Sequence, residues 1–345
     1  MPSGAGSMTV WVPTLRRPDG LWKPQPHIAT SGSSAVARIT LADIEAAEAR
    51  IRPFIRSTPL VPSAQRDGLH LKLECLQRTG SFKLRGALNA ILAADRETVR
   101  NGVSCVSAGN HGLAVAVAAR QRKVKANVYV WKGAVPRKVA AMKAAGAKVI
   151  EAPVERLGQI MADQDAGDGT YFVHPFANRH VAAGQGTIGL EILQDVPLPT
   201  KVFVAIGGGG QALGIATVMA ARSPKTKVYG VAARETPAFW TAWKTGKTAS
   251  VKSTSIADGL SAPIADMDVV ARLKELLAGL VIVEDDQIKA AMRGLALQDK
   301  VVAEPAGAAS TAAALTARTI GKSAVAMVSG GNVKPELLAE ILATN

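Results

Sequence analysis

A lysine at position 83 is the residue of this chain best placed to do covalent chemistry. It stands in Ser81-Phe82-Lys83-Leu84-Arg85-Gly86-Ala87, where a strand-like run, His70-Leu71-Lys72-Leu73-Glu74, gives way to an Ala-rich helix starting near Arg85. Burial penalises an ammonium group, so lysines inside proteins are unusual. One held against an apolar neighbour such as Phe82 can lose its proton and attack a carbonyl carbon. The competing reading is a solvated lysine that opens a helix and does nothing more.

Three segments of small residues add to this. Gly207-Gly208-Gly209-Gly210 directly follows the apolar run Val202-Phe203-Val204-Ala205-Ile206, and a helix is predicted near Gln211. Four glycines let backbone N–H groups converge, and the helix N-terminus adds positive partial charge, so a phosphate dianion is well held there. Residues 207–212 also satisfy the G-x-G-x-x-A dinucleotide fingerprint. That fingerprint expects an acid about 20 positions on, at the end of the second strand. The second strand here ends Val231-Ala232-Ala233-Arg234, with no acid before Glu235, which favours phosphate over dinucleotide. A purely structural turn is the third reading.

Ser107-Ala108-Gly109-Asn110-His111-Gly112 lies between another strand and another helix. Its small residues expose N–H groups that can hold a substrate carboxylate. His111 invites a general-base role, but its place at a helix start favours a structural one. Ser329-Gly330-Gly331-Asn332 follows the apolar run Ala324 to Val328. Ser329 is therefore at the C-terminal end of a strand, where sites gather in open α/β sheets, with a plain turn as the alternative.

Lysine, Asn-containing loop, glycine loop and Ser-Gly-Gly-Asn occur in that order. From about Ile39 to the C-terminus the chain resembles the fold type II pyridoxal phosphate enzymes, most of all the threonine/serine dehydratase (ammonia-lyase) and serine racemase family. The resemblance implies pyridoxal 5'-phosphate as cofactor, held by Lys83 as a Schiff base. It further implies that Gly207, Gly208, Gly209, Gly210 and Gln211 bind the cofactor, the glycines at its phosphate. Asn110 would bond the ring hydroxyl, Ser329 the pyridine nitrogen, and Phe82 would pack near the ring. Glu304, in Glu304-Pro305-Ala306-Gly307-Ala308, would approach it. Ser107, Ala108, Gly109 and His111 form the substrate-binding set. Phe176, Ala177, Trp240 and Trp243 are candidates for the pocket lining. Gln185-Gly186-Thr187 and Ile256-Ala257-Asp258-Gly259 match the family as structural or domain-closing segments.

The activity so implied is ammonia loss from a small β-hydroxy amino acid to give a 2-oxo acid. L-threonine or L-serine is the first expectation and 3-hydroxyaspartate the next. Lys83 would remove the α-proton. Alternatives are β-replacement or racemisation of a different amino acid, and a non-catalytic pyridoxal phosphate-binding protein. A nicotinamide-binding protein is a further outsider. Two departures from the family narrow this. Serine racemases carry a serine where Ala108 stands; a methyl moves no protons, and racemisation needs a proton-transfer group on each face. Many relatives bind a divalent cation just after the strand that follows the glycine loop, through a Glu and an Asp. Ala232 and Ala238 occupy those positions here, so no metal site is expected. Ser329 is neutral, which leaves the ring a weaker electron sink and favours elimination over transamination.

Strands and helices must present these loops, and their alternation is visible. A helix starts at Thr40, where Thr40 and Asp43 make a capping pattern, and Leu41, Ile44, Ala47 and Ile51 follow at helical spacing until Pro53. Apolar strands are predicted at 103–107, 126–131, 147–151, 202–206, 228–232 and 324–328. Helices are predicted at 111–121, 136–145, 211–221, 285–298, 305–317 and 334–342. This rhythm is that of a parallel sheet covered by helices. The resemblance refines it to an α/β fold of two open twisted sheets, mostly parallel, each covered by helices, as in the tryptophan synthase beta-like fold. It implies a large domain from 37–100 plus 182–345, a small domain at 101–181, and the cofactor between them. Residues 1–36 are rich in Pro, Gly and Ser and read as a mobile arm or an organelle-targeting segment, with Met8 as an alternative start. The chain ends soon after the Ser329 motif, so the regulatory domain of some biosynthetic threonine dehydratases is not expected.

Composition fits a soluble enzyme. The 345 residues are 48% hydrophobic and only 4% aromatic, and no apolar run approaches a membrane span. Cys75 and Cys105 suggest neither a disulfide framework nor a metal cluster. The formal charge of +14 is high. Its Lys and Arg residues are dispersed and not interleaved with aromatics, so the partner expected is a small amino acid, not nucleic acid or membrane. A homodimer and a cytoplasmic location are the family defaults.

Overall fold

The computed structural model describes residues 35–248 and 252–343. Most of the expected arm, residues 1–34, lies outside the described residues; Ala35–Arg38 forms a 3-10 turn that buries Val36. In chain order the helices are α1 (Leu41–Ile51), α2 (Lys83–Ala93), α3 (Asn110–Arg122), α4 (Pro136–Ala144), α5 (Val154–Asp163), α6 (Arg179–Asp195), α7 (Gly210–Arg222), α8 (Pro237–Thr245), α9 (Met267–Leu276), α10 (Asp285–Leu297), α11 (Pro305–Thr316) and α12 (Pro335–Ala343). The strands are β1 (Leu60–Pro62), β2 (Leu69–Lys72), β3 (Val103–Val106), β4 (Ala126–Trp131), β5 (Lys148–Ala152), β6 (Tyr171–Phe172), β7 (Lys201–Ala205), β8 (Lys227–Ala233), β9 (Gly279–Val283) and β10 (Ala324–Met327).

They build two sheets. One has six strands in the order β1-β2-β10-β7-β8-β9, the other four in the order β5-β4-β3-β6. All pairings are parallel except β1 with β2. This is the α/β architecture expected. Parallel order places the C-terminal ends of β7, β10 and β3 on the edges that carry Gly207, Ser329 and Ser107. The strands are apolar on both faces because helices cover both: Val202, Val204, Phe203 and Ala205 of β7 are all buried.

Local physics explains the elements. Thr40 and Asp43 exchange both bonds of a capping box at the start of α1. The predicted strands and helices correspond to β3, β4, β5, β7, β8, β10 and α3, α4, α7, α10, α11, α12. The 17-residue α6 was not predicted. Its Gly184, Gly186 and Gly189 interrupt the helical pattern, yet packing requires them: a Cβ on Gly184 would stand 2.6 Å from the Arg85 carbonyl oxygen of α2.

A buried ionic quartet fixes the start of α2. Arg85, with no exposed surface, donates Nε to Glu74 Oε2 at 2.8 Å and Nη2 to Glu74 Oε1 at 2.7 Å. Its Nη1 reaches Glu191 Oε1 at 2.6 Å and Thr187 Oγ1 at 3.2 Å. Lys72 Nζ donates to Glu191 Oε2 at 2.7 Å and to the Thr58 carbonyl at 2.6 Å. Two cations face two carboxylates, so the quartet is neutral and densely bonded. Burial alone opposes the Arg85 charge, but Glu74 and Glu191 outweigh it and hold its proton more tightly than usual.

Candidate active site

The loop before α2 is sewn to the loop after β10. Ser81 bridges Gly330 in antiparallel fashion, Phe82 N donates to the Ser329 carbonyl at 3.1 Å, and Gly331 N donates to the Gly80 carbonyl at 2.9 Å. Lys83, the first residue of α2, is thereby held beside Ser329. Its Nζ lies 5.1 Å from the centre of the Phe82 ring and donates to the Pro175 carbonyl at 3.0 Å. Desolvation of the amine pulls its pKa down to about 8, against the counter-pull of Glu304. Lys83 is therefore an amine poised near neutrality, not a solvated surface lysine.

Three polar side chains bond one another beside the Ser329 loop. Asn110 Nδ2 donates to Glu304 Oε1 at 2.5 Å, and Asn332 Nδ2 donates to Asn110 Oδ1 at 2.8 Å and to the Thr79 carbonyl at 2.9 Å. One amide hydrogen of Asn110 is left over for a further acceptor. Burial, then the charge of Asp258, raises Glu304 to about 7, although Asn110, Lys138 and Lys83 pull the other way. The Ser329 hydroxyl is buried and reaches only the Ala306 carbonyl, at 3.4 Å, too long for a strong bond, so it can still donate to a ring nitrogen.

The glycine loop opens α7. Gly209 has φ of +90°, a left-handed conformation that favours glycine. A Cβ on Gly208 would overlap the Phe176 ring, which lies against the loop backbone. Gln211, in the first turn, is buried with Nε2 lacking a partner. At the Ser107 loop, Ser107 N already bonds the Tyr129 carbonyl at 3.0 Å, and Gly109 N bonds Ser107 Oγ at 3.2 Å. The donors with no intrahelical partner are those of the first turn of α3, beginning at Asn110. Ala108 is buried at the turn itself.

His111 Nε2 lies 2.8 Å from the Val173 carbonyl, an acceptor, so Nε2 carries the proton. Burial, then the Lys83 charge, depresses His111 to about 3, and His174 likewise to about 3. Neither ring is a proton carrier near neutrality. Sequence reasoning missed His174 and the Pro175 carbonyl, and quoted Asn332 without a role. It also missed Lys138, on α4, which pairs with Asp258 at 3.3 Å and links the four-stranded side to the Ile256–Gly259 segment.

Trp240 and Trp243 lie on α8. The Trp240 indole donates to the Arg234 carbonyl at 3.0 Å, and Trp243 packs near Phe239 and beneath Lys274. Ala232, in β8, and Ala238, in α8, are buried methyls, and Arg234, just past β8, forms an ion pair with Glu284. This donor set does not suit a hard divalent cation. Among the described residues no group of three or more His, Cys, Asp or Glu is placed to hold a metal. Nor, among them, is any helix long and apolar enough to cross a membrane.

The assembled groups fit pyridoxal phosphate: a low-pKa lysine, a glycine loop at a helix start with an orphaned buried amide, and donors from Asn110 and Ser329. Comparisons agree. The family model described as pyridoxal-phosphate dependent enzyme matches residues 51–330. A catabolic L-threonine dehydratase of Staphylococcus aureus strain N315 is 37% identical over 309 residues, 86% of this chain and 89% of that protein. The structure of maize serine racemase matches with a TM-score of 0.81 at 32% identity, covering 87% of this chain and 96% of its own. A threonine deaminase from T.th. matches with a TM-score of 0.80 at 34% identity, covering 86% of this chain and 99% of its own.

Proposed function

The chain belongs to the pyridoxal-phosphate dependent enzyme family, and from that premise we propose that it is a dehydratase of a small β-hydroxy amino acid, L-threonine or L-serine first. The observation that carries this reading is the Lys83 amine, brought to about 8, bonded to the Pro175 carbonyl and carried on a loop sewn to Ser329.

Pyridoxal phosphate, when bound, supplies an electron sink for the substrate's α-carbon. Gly207 to Gly210 and Gln211 would hold its phosphate with N–H donors, Asn110 its ring hydroxyl, and Ser329 its ring nitrogen. Phe82 lies beside the lysine and Phe176 lies against the glycine loop. The first turn of α3 receives the substrate carboxylate. Lys83, as a free amine resting on the Pro175 carbonyl, takes the α-proton. The β-hydroxyl leaves as water, the proton taken from the α-carbon balancing the one it gains, and the enamine released takes up water to give a 2-oxo acid and ammonia. Ser329 offers a neutral hydroxyl, so it does not stabilise a protonated ring as a carboxylate would. Ala108 offers no proton on the face opposite Lys83. Both features favour elimination over transamination and racemisation. We further place the domain border near residues 100 and 181, and take a cytoplasmic homodimer as the working assembly.

The test is direct. Purified protein loaded with the cofactor and given L-threonine, L-serine and 3-hydroxyaspartate should release a 2-oxo acid from at least one. No oxo acid from any of the three contradicts the proposal.

A further inference from the structure

We propose that His174 is a positioning residue that aims the Lys83 amine through the backbone of residues 174–177; this rests on reading Lys83 as the cofactor lysine. His174 follows β6, in a segment anchored by Val173 N to the Ser104 carbonyl at 2.8 Å and by the Val173 carbonyl to His111. Its Nδ1 accepts two backbone hydrogens, from Ala177 N at 2.7 Å and Phe176 N at 3.3 Å. An accepting Nδ1 carries no proton, so the neutral ring is protonated on Nε2. The ring is set edge-on to Phe172 and Phe176, with centroids 6.1 Å and 4.6 Å away. The turn closed in this way presents the Pro175 carbonyl to Lys83 Nζ at 3.0 Å and lays the Phe176 ring on Gly208. One imidazole thus ties the amine and the glycine loop to the same short segment.

The choice of partner has a chemical consequence. A carbonyl oxygen orients an amine without the full negative charge that would hold its proton. A carboxylate in the same place would orient Lys83 equally well but raise its pKa, leaving less of it as free amine near neutrality. The His174 ring cannot substitute for Lys83 in proton transfer, because burial keeps it neutral far below neutrality.

The experiment compares H174N, H174Q and H174F with the wild type. Asparagine places an acceptor near the position of Nδ1, glutamine places it near Nε2, and phenylalanine keeps the ring but loses the acceptor. Each protein is stripped, mixed with pyridoxal phosphate, and the rate of borohydride-trapped adduct on Lys83 is followed by mass spectrometry, per folded molecule. The α-deuterium isotope effect on kcat is measured with whichever substrate the wild type turns over. H174F and H174Q should trap about 10- to 100-fold more slowly and show a raised isotope effect, while H174N stays within about threefold of the wild type. The asparagine–glutamine pair decides the matter even where H174F does not fold. Equal trapping rates in all four proteins, or H174N falling as far as H174Q, overturns the role of His174. A wild type that traps nothing at Lys83 overturns the underlying reading of the site instead, and does so without reference to any amino-acid substrate.

Discussion

Lys83 and Arg85 stand two residues apart in the first turn of α2, and their surroundings treat them in opposite ways. Arg85 is enclosed by Glu74 and Glu191 with short, partly bidentate bonds, and with Lys72 the group is electrically balanced. Lys83 meets no carboxylate directly; it has a carbonyl, two neutral imidazoles nearby and Glu304 acting at a distance. The first arrangement locks a charge and secures a helix. The second withholds charge compensation, and so leaves an amine able to give up its proton. Buried ionic groups are therefore not evidence of catalysis in themselves; the missing counter-charge is what marks the reactive one.

The comparison breaks most visibly at Lys83. K83A should lose at least about a thousandfold in 2-oxo acid formation, while urea unfolding of the cofactor-free chain stays close to wild type or shows greater stability, since a poorly compensated amine is removed. R85A should do the reverse. Removing one member of a buried ion network costs about 3–5 kcal/mol, so its urea midpoint should fall sharply, whereas the residual folded protein still forms the Lys83 adduct. Equal destabilisation by the two substitutions would erase the distinction.

Glu304 sharpens the comparison through pH. Its folded pKa, about 7, lies above the ordinary glutamate value of 4.5, so folding binds a proton between those values. The corresponding stability is present in full below the lower value and is lost as pH rises through 7. Lys83 behaves oppositely: its folded value of about 8 lies below 10.5, and its burial penalty is relieved as pH rises across that window. The cofactor-free E304Q variant should lack the first slope, a difference on the order of 3 kcal/mol across it. E304Q should also move the rising limb of the kcat–pH profile to lower pH, because Glu304 holds the Lys83 proton. Identical urea midpoints for wild type and E304Q from pH 4.5 to 7 would contradict this.

The smallest effect concerns the opposite face of the substrate. A108S should introduce slow racemisation of L-serine, read by chiral chromatography, at no more than a few per cent of the elimination rate, roughly the yield of an unsupported acid–base group. No detectable D-serine would show that the loop at 108 does not face the α-carbon.

Much of this was legible in the sequence, for physical reasons. Buried parallel strands such as Val202 to Ile206 are apolar throughout, and the glycine, asparagine and serine loops follow them directly, so both element and site residue could be read together. Helix α6 was not legible: Gly184, Gly186 and Gly189 answer to close contact with α1, α2 and α7, which one chain segment does not disclose. The Pro175 carbonyl has no side-chain signature at all. His174 could have been flagged as a histidine one residue before proline, but its two acceptor bonds belong to backbone geometry. The pairing of Lys138 with Asp258 spans 120 positions and appears only when the chain is folded. The contacts of Trp240 with the Arg234 carbonyl and of Trp243 with Phe239 follow from the course of α8 and are not legible in residue spacing.

The central claim is a covalent one, and one measurement reaches it. Yellow, freshly purified protein is reduced with borohydride, digested, and the modified peptide mapped. The account predicts a single pyridoxyl adduct on Lys83, with Arg85 and Lys72 intact. An adduct on any other lysine, or an unmodified Lys83 in visibly cofactor-loaded protein, would contradict it.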